Sequence, residues 1–260
     1  MNEKYNTSIM KGKLPDFLII GTQKGGTVSL WHNLKKHPDI EFCPNFSSSF
    51  DDGGDNEREV HFFDKNWDKG IEWYKSLFNN NSKLQGECTP EYIFYLNSHK
   101  RMFETLPNAK LIFIIRNPIT RAYSSYNHQL QQGFTWENDF SIDSSFDEAI
   151  NEVFNKDLMM DFVSIGFYIN QIKHLLKYFK KEQLLILISE QMRKNPQETY
   201  NKIFDFLGLK RFDIDYTPNI HSRKYKEPMK EETRKKLKEI YKPYNERLFE
   251  FLGYRIKEWD

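Results

Sequence analysis

The chain has 260 residues, 38% hydrophobic and 29% charged, the profile of an ordinary soluble globular protein rather than a disordered or fibrous one. Lys and Arg number 38 against 37 Asp and Glu, a net charge of +1, which argues against a nucleic-acid partner held by a broad positive field and leaves room only for a local basic pocket. Two cysteines, Cys43 and Cys88, cannot build a disulfide framework, no Cys/His spacing suits structural zinc, and no apolar run reaches the roughly 18–20 residues of a membrane segment.

Residues 1–15 are polar, contain no apolar signal core and read as a mobile N-terminal arm. The expected compartment is therefore cytoplasmic. Residues 16–21, DFLIIG, form a short continuous apolar run stopped by glycine, the pattern of a strand buried on both faces. Residues 28–37 carry apolar side chains at 28, 30, 31 and 34 and stop before Pro38, which predicts a helix. Residues 44–58 are rich in Ser, Asp and Gly and read as a loop. A helix is expected over 68–78, with Ile71, Tyr74, Leu77 and Phe78 on one face.

A second buried strand follows at 110–115, cut off by Arg116-Asn117-Pro118, and a helix runs from about 119 to 131. A third strand is expected at 184–188, between helices near 166–180 and 197–207, the latter closing at Gly208. Residues 213–228 look irregular, and 229–252 is a charged amphipathic stretch expected to break near Pro243. Strands alternating with helices predict an α/β fold, a single domain over 16–260 with a central parallel sheet flanked by helices.

Two segments carry chemistry. Gly21-Thr22-Gln23-Lys24-Gly25-Gly26-Thr27 lies between a buried strand and a helix start, where backbone N–H groups and the helix dipole hold anions. Lys24 adds a point charge and Thr27 a hydroxyl. Gly21 and Gly26 have the separation of a Walker A loop, but Thr27 occupies the lysine position and Val28 the magnesium-binding hydroxyl position. A magnesium-dependent NTPase thus loses its lysine and its metal ligand. Taken alone, the loop also reads as a βα turn that simply needs glycine.

The second segment is Arg116-Asn117-Pro118, with Ser124 eight residues after the arginine. An arginine at the carboxyl end of a buried strand sits where open α/β sheets bind ligands, and its fork suits phosphate. A surface ion pair for Arg116 and a solvated position for Ser124 remain the plain alternatives.

Together these segments resemble the PAPS-dependent sulfotransferases, in particular the heparan sulfate branch of the 3-O type. Gln23-Lys24-Gly25-Gly26-Thr27 is similar to that family's 5′-phosphosulfate loop, and Arg116-Asn117-Pro118 with Ser124 to its 3′-phosphate element. Glu59-Val60-His61-Phe62-Phe63-Asp64, Gly86-Glu87-Cys88-Thr89-Pro90-Glu91-Tyr92 and Ser222-Arg223-Lys224-Tyr225-Lys226-Glu227-Pro228 resemble further segments of the branch, in order, from about residue 16 to 255.

The resemblance implies PAPS as co-substrate, PAP as product and no metal. It implies nucleotide contacts from Gln23, Lys24, Gly25, Gly26, Thr27, Val28, Arg116 and Ser124, closed over by Arg223, Lys224 and Tyr225. It also implies a base at Glu59 supported by His61 and Asp64. The chain departs from the family pattern at Asn117 (usually aspartate), Cys88 (a lysine in the heparan-modifying enzymes) and Lys224 (usually glycine).

In-line sulfonate transfer builds charge on the bridging oxygen, and by analogy with phosphoryl transfer Lys24 is the residue to stabilise it. On one extended strand Glu59, His61 and Phe63 would point the same way. From the residues alone, Glu59 also reads as one more charge beside Arg58, and His61 as a packed core histidine. The expected function is sulfonate transfer from PAPS to a hydroxyl, on a glycan or a small hydroxylated molecule. A P-loop kinase and a non-catalytic PAP- or carbohydrate-binding module are the rival readings.

Overall fold

The computed structural model describes residues 12–46, 58–131, 145–156, 161–218 and 228–260. In chain order the elements are β1 (Phe17–Gly21), α1 (Thr27–Leu34), β2 (Ile40–Phe42), α2 (Gly70–Ser76), β3 (Leu84–Cys88), α3 (Leu96–Thr105), β4 (Lys110–Ile115) and α4 (Pro118–Gln131). There follow α5 (Phe146–Lys156), α6 (Asp161–Ser164), α7 (Tyr168–Leu175), β5 (Leu184–Ile188), α8 (Ser189–Lys194), α9 (Pro196–Leu207) and α10 (Glu231–Leu252). The five strands form one sheet in the order β2-β3-β1-β4-β5, and every neighbouring pair is parallel.

This order carries the functional consequence. After β1 the chain builds β2 and β3 on one side, then crosses to β4 and β5 on the other. The switch point therefore lies at the carboxyl end of β1, where doubly wound sheets open a ligand crevice. Phe17 to Ile20 and Leu111 to Ile115 are fully buried, as covered parallel strands require.

The three strands and the helices near 119–131 and 197–207 stand where the sequence puts them, with Gly208 capping α9 in the left-handed region at φ 79°. Two strands were not legible. β2 is three residues long, and β3 buries the polar Gln85 and Glu87, so neither shows an apolar run. α2 is shorter than expected, and Ile71 lies at the surface instead of on its buried face.

The break expected near Pro243 is absent: α10 runs unbroken from Glu231 to Leu252. Pro243 and Glu239 are exposed, so the carbonyl that loses its partner at Glu239 is solvated. Leu237 and Tyr241 before the proline, and Leu248 and Phe249 after it, are buried and pin both halves to the body. Of the expected arm, residues 1–11 lie outside the described residues. Lys13 donates to the Lys83 carbonyl at 2.9 Å, and Leu14 packs partly buried against the core. Most of the loop expected over 44–58 is also outside them.

One contact on the rim of the sheet is sensitive to acid. On α3, His99 is buried and its Nε2 lies 3.0 Å from the Ile93 carbonyl. A carbonyl only accepts, so this nitrogen carries the proton and Nδ1 of the neutral ring accepts from His174 Nδ1 on α7 at 2.8 Å. Burial, with the neighbouring His174 adding to it, pushes His99 down to about 4. The folded state thus binds fewer protons than the unfolded chain between about pH 6.5 and 4, and stability falls as pH falls through that window. Melting temperature measured from pH 7 to 4 should drop more steeply in the wild type than in His99→Gln; equal slopes would remove His99 as the cause.

Candidate functional site

The turn after β1 is built by close packing rather than by composition alone. The Thr22 N–H donates to the Ile114 carbonyl at the end of β4, and the Gly25 N–H donates back to the Thr22 carbonyl, both at 2.8 Å. A Cβ on Gly25 would stand 2.8 Å from two backbone oxygens, of Ile114 and Thr22, so only glycine fits. Gly26, at φ 108°, occupies backbone space that side chains disfavour and launches α1. Thr27 is buried and Val28 half-buried in the first turn of that helix, whose leading N–H groups have no partners within the helix. Lys24 itself sits in the left-handed region at φ 62°.

The arginine closing β4 meets this turn. Arg116 Nη1 donates to the Lys24 carbonyl at 3.4 Å, while its Nε donates to Thr120 Oγ1 at 3.0 Å. Tyr168 from α7 donates to the Arg116 carbonyl at 2.8 Å. Asn117 caps α4, its side-chain oxygen accepting from the N–H groups of Ile119 and Thr120; the change from the family's aspartate thus stays within a helix cap. Ser124 is buried on α4, and the next residue, Ser125, reaches the turn by donating to Gln23 Oε1 at 3.4 Å. The two phosphate-type segments therefore adjoin one another. Arg223, Lys224 and Tyr225 lie outside the described residues.

Residues 59–64 do not form the extended strand expected of them. Glu59 and His61 adopt left-handed backbone at φ 63° and 53°, and the reason lies in β3 and the residues after it. The Glu59 N–H donates to the Cys88 carbonyl at 2.8 Å, and the His61 N–H to Thr89 Oγ1 at 3.3 Å. Those of Phe62 and Phe63 go to the Tyr92 hydroxyl at 2.7 and 3.4 Å. Both hydroxyls in turn donate to the wholly buried Glu87, at 2.8 Å from Thr89 and 2.6 Å from Tyr92, and Tyr74 adds a third hydrogen bond. Burial raises the Glu87 carboxyl while these donors oppose the rise. Phe63 turns into the core against Tyr74 and Tyr92 rather than following Glu59 and His61.

Glu59 and His61 nevertheless converge, by turn geometry instead of strand alternation. With Glu91 they bring a carboxylate oxygen or ring nitrogen each within 4.8 Å of one another. Glu59 pairs with Arg58, and His61 Nδ1 lies 2.8 Å from Asp64 Oδ2. Burial pulls His61 down, but the Asp64 hydrogen bond and the charges of Glu91 and Asp64 outweigh it and hold the ring above its ordinary value. Cys88 is buried at the end of β3, and burial pushes its thiol well up, so it brings no charge to the site. Glu91 was not read as a site residue from the sequence; it falls inside a segment that resembles the family's, but at the position between Pro90 and Tyr92 that the resemblance leaves unspecified.

A sulfotransferase domain family model matches residues 14–252. Among relatives, the chain is 31% identical over 205 residues to human heparan sulfate glucosamine 3-O-sulfotransferase 6, covering 78% of this chain and 55% of that protein. It is 27% identical to human heparan sulfate glucosamine 3-O-sulfotransferase 3B1, covering 95% and 65%. It is 30% identical to the Caenorhabditis elegans bifunctional heparan sulfate N-deacetylase/N-sulfotransferase 1, covering 93% and 30%. The chain thus spans between about a third and two thirds of these relatives' length. In fold it is similar to a sulfotransferase from Alicyclobacillus acidocaldarius, with a TM-score of 0.75 at 24% identity over 95% of this chain and 99% of the other. With the two adjoining loops at the switch point and the match along nearly its whole length, the chain belongs to the sulfotransferase domain family.

Proposed function

We propose that this protein transfers a sulfonate group from PAPS to a hydroxyl on a carbohydrate, releasing PAP. The observation that carries the reading is the meeting of Arg116 with the Lys24 turn. It sets a guanidinium and an ammonium-bearing glycine loop at one sheet edge, as a nucleotide with phosphates at both its 3′ and 5′ positions requires. In this reading the N–H groups of Gly25, Gly26, Thr27 and Val28 receive the 5′-phosphate. Arg116 and Ser124 hold the 3′-phosphate.

The reaction follows from these positions. The acceptor oxygen attacks sulfur, the bond from sulfur to the bridging phosphate oxygen breaks, and Lys24 stabilises the charge that collects on that oxygen. Glu59 takes the acceptor's proton, and such assistance is typically worth about 10²–10⁴-fold. His61, oriented by Asp64, supports the base. Relatives named for heparan sulfate glucosamine favour a glycan acceptor. Lysine, arginine and backbone N–H groups supply the positive charge toward the phosphates, so no metal is required of the site.

Three outcomes test this. PAP should raise the melting temperature in the presence of EDTA, since a ligand that binds only the folded state stabilises it; stabilisation by Mg-ATP alone would support the kinase reading instead. Glu59→Gln should abolish PAP release at an unchanged PAP-induced shift, and full turnover in that variant would remove Glu59 as the base. Tyr92→Phe leaves the buried Phe62 N–H without its partner, a loss of about 1–3 kcal/mol. It should lower the denaturation midpoint and kcat together while PAP affinity holds, whereas unchanged kcat would show that the Glu59 turn does not depend on this clamp.

A further inference from the structure

Glu91 follows Thr89 and Pro90 beyond β3, and its two carboxylate oxygens are treated unequally. Oε1 accepts from Gln23 Nε2 at 3.2 Å, whereas Oε2 is buried without a hydrogen-bond partner. A buried, unpartnered carboxylate oxygen is costly. One of the Glu91 carboxylate oxygens lies within 4.8 Å of a Glu59 carboxylate oxygen and of a His61 ring nitrogen. The same Gln23 accepts from Ser125 on α4, so one amide joins the nucleotide turn, the Arg116 helix and this carboxylate. The groups that act on Glu91 are Glu59, His61, Asp64 and Lys65 from the residues beyond Arg58, with Gln23 from the turn. Glu59 in turn faces Arg58 and the Cys88 thiol.

We infer that Glu91 is a positioning residue for the proton transfer, a second carboxylate beside Glu59 whose charge favours the arrival of the acceptor's proton there, tied to the nucleotide turn through Gln23. The inference rests on the transfer reading above. As the acceptor's O–H bond breaks and its oxygen bonds to sulfur, the proton passes to Glu59, and PAP leaves with the electron pair of the broken S–O bond. Two carboxylates this close resist carrying two charges, so the pair holds the incoming proton more firmly than Glu59 alone would. That firmness makes Glu59 the better base. Burial and the charge of Glu59 both raise Glu91 above its ordinary value.

The test is the pH dependence of kcat for the wild type, Glu91→Gln and Glu91→Asp, with PAPS and an N-sulfated heparosan hexasaccharide as the acceptor probe. Glutamine keeps the oxygen that accepts from Gln23 and removes the charge. Its acid limb should move down by about one pH unit, with plateau kcat about tenfold lower and an unchanged PAP-induced melting shift. Aspartate should restore the limb toward the wild-type position. An unmoved limb in Glu91→Gln, or a loss of the same factor at every pH, would overturn the inference.

A second measurement is independent of any acceptor: ¹³C-carboxyl titration of glutamate in the PAP-bound protein. Glu91 should titrate lower in Glu59→Gln than in the wild type, and an identical Glu91 curve would equally overturn the proposal. Wild-type protein that releases no PAP with the probe would count against the transfer reading itself, while the titration would still decide whether the two carboxylates are coupled.

Discussion

The adjacency of β1 and β4 is the constraint on which the proposed nucleotide end of this protein depends. The two strands run parallel with Phe17 opposite Lys110 and Ile19 opposite Ile112, and the register becomes irregular before Gly21. That irregularity lies where the chain must leave the ladder, and the Thr22 N–H then bonds the Ile114 carbonyl, which a Cβ on Gly25 would run into. The Lys24 turn is therefore shaped by the end of β4, and Arg116 is the residue after that end. A change at Gly25 would displace both segments at once, because each is part of the other's packing.

The proposed acceptor end is organised by a different device, a carboxylate buried in a strand. Glu87 carries no exposed surface, yet three hydroxyl donors satisfy it. Two of these hydroxyls offer their remaining lone pairs to the N–H groups of His61, Phe62 and Phe63. The left-handed conformations at Glu59 and His61 are held this way from below, by a network whose members are all paired. Strain at such residues persists only where the surroundings over-determine it, and here the surroundings are β3 and the residues that follow it.

The sequence made the nucleotide end legible and the acceptor end only partly so, for physical reasons. β1 and β4 are covered on both faces and read as unbroken apolar runs, and the glycine turn and Arg116 follow them directly. Strand β3 escaped because Gln85 and Glu87 occupy positions that a buried strand normally gives to Val or Ile, and part of their pairing comes from residues distant in sequence: Glu41 for the Gln85 amide, and Tyr74 for Glu87. Period-two reasoning brought Glu59 and His61 together for the wrong reason. It assumed a strand, whereas the tertiary hydrogen bonds of Thr89 and Tyr92 impose a turn that reaches the same convergence and sends Phe63 elsewhere. The break expected at Pro243 failed similarly, because local propensity is outweighed when both flanking turns are pinned by buried side chains.

Charge at the candidate site is divided between its two ends. Cationic side chains, Lys24 and Arg116, gather at the turn between β1 and β4, while Glu59, Asp64, Glu87 and Glu91 gather on the β3 side of β1. The residue that joins them is neutral, and the chemistry of its amide explains why that suits the position. Gln23 accepts from Ser125 with its oxygen and donates to Glu91 with its nitrogen. A glutamate there would set a second carboxylate against Glu91. A lysine would pair with Glu91 and leave the Ser125 hydroxyl without its acceptor. Only a side chain with both a donor and an acceptor joins the cationic and acidic halves without neutralising either, and the two halves can then meet opposite ends of one reaction: leaving-group charge on one side, the departing proton on the other.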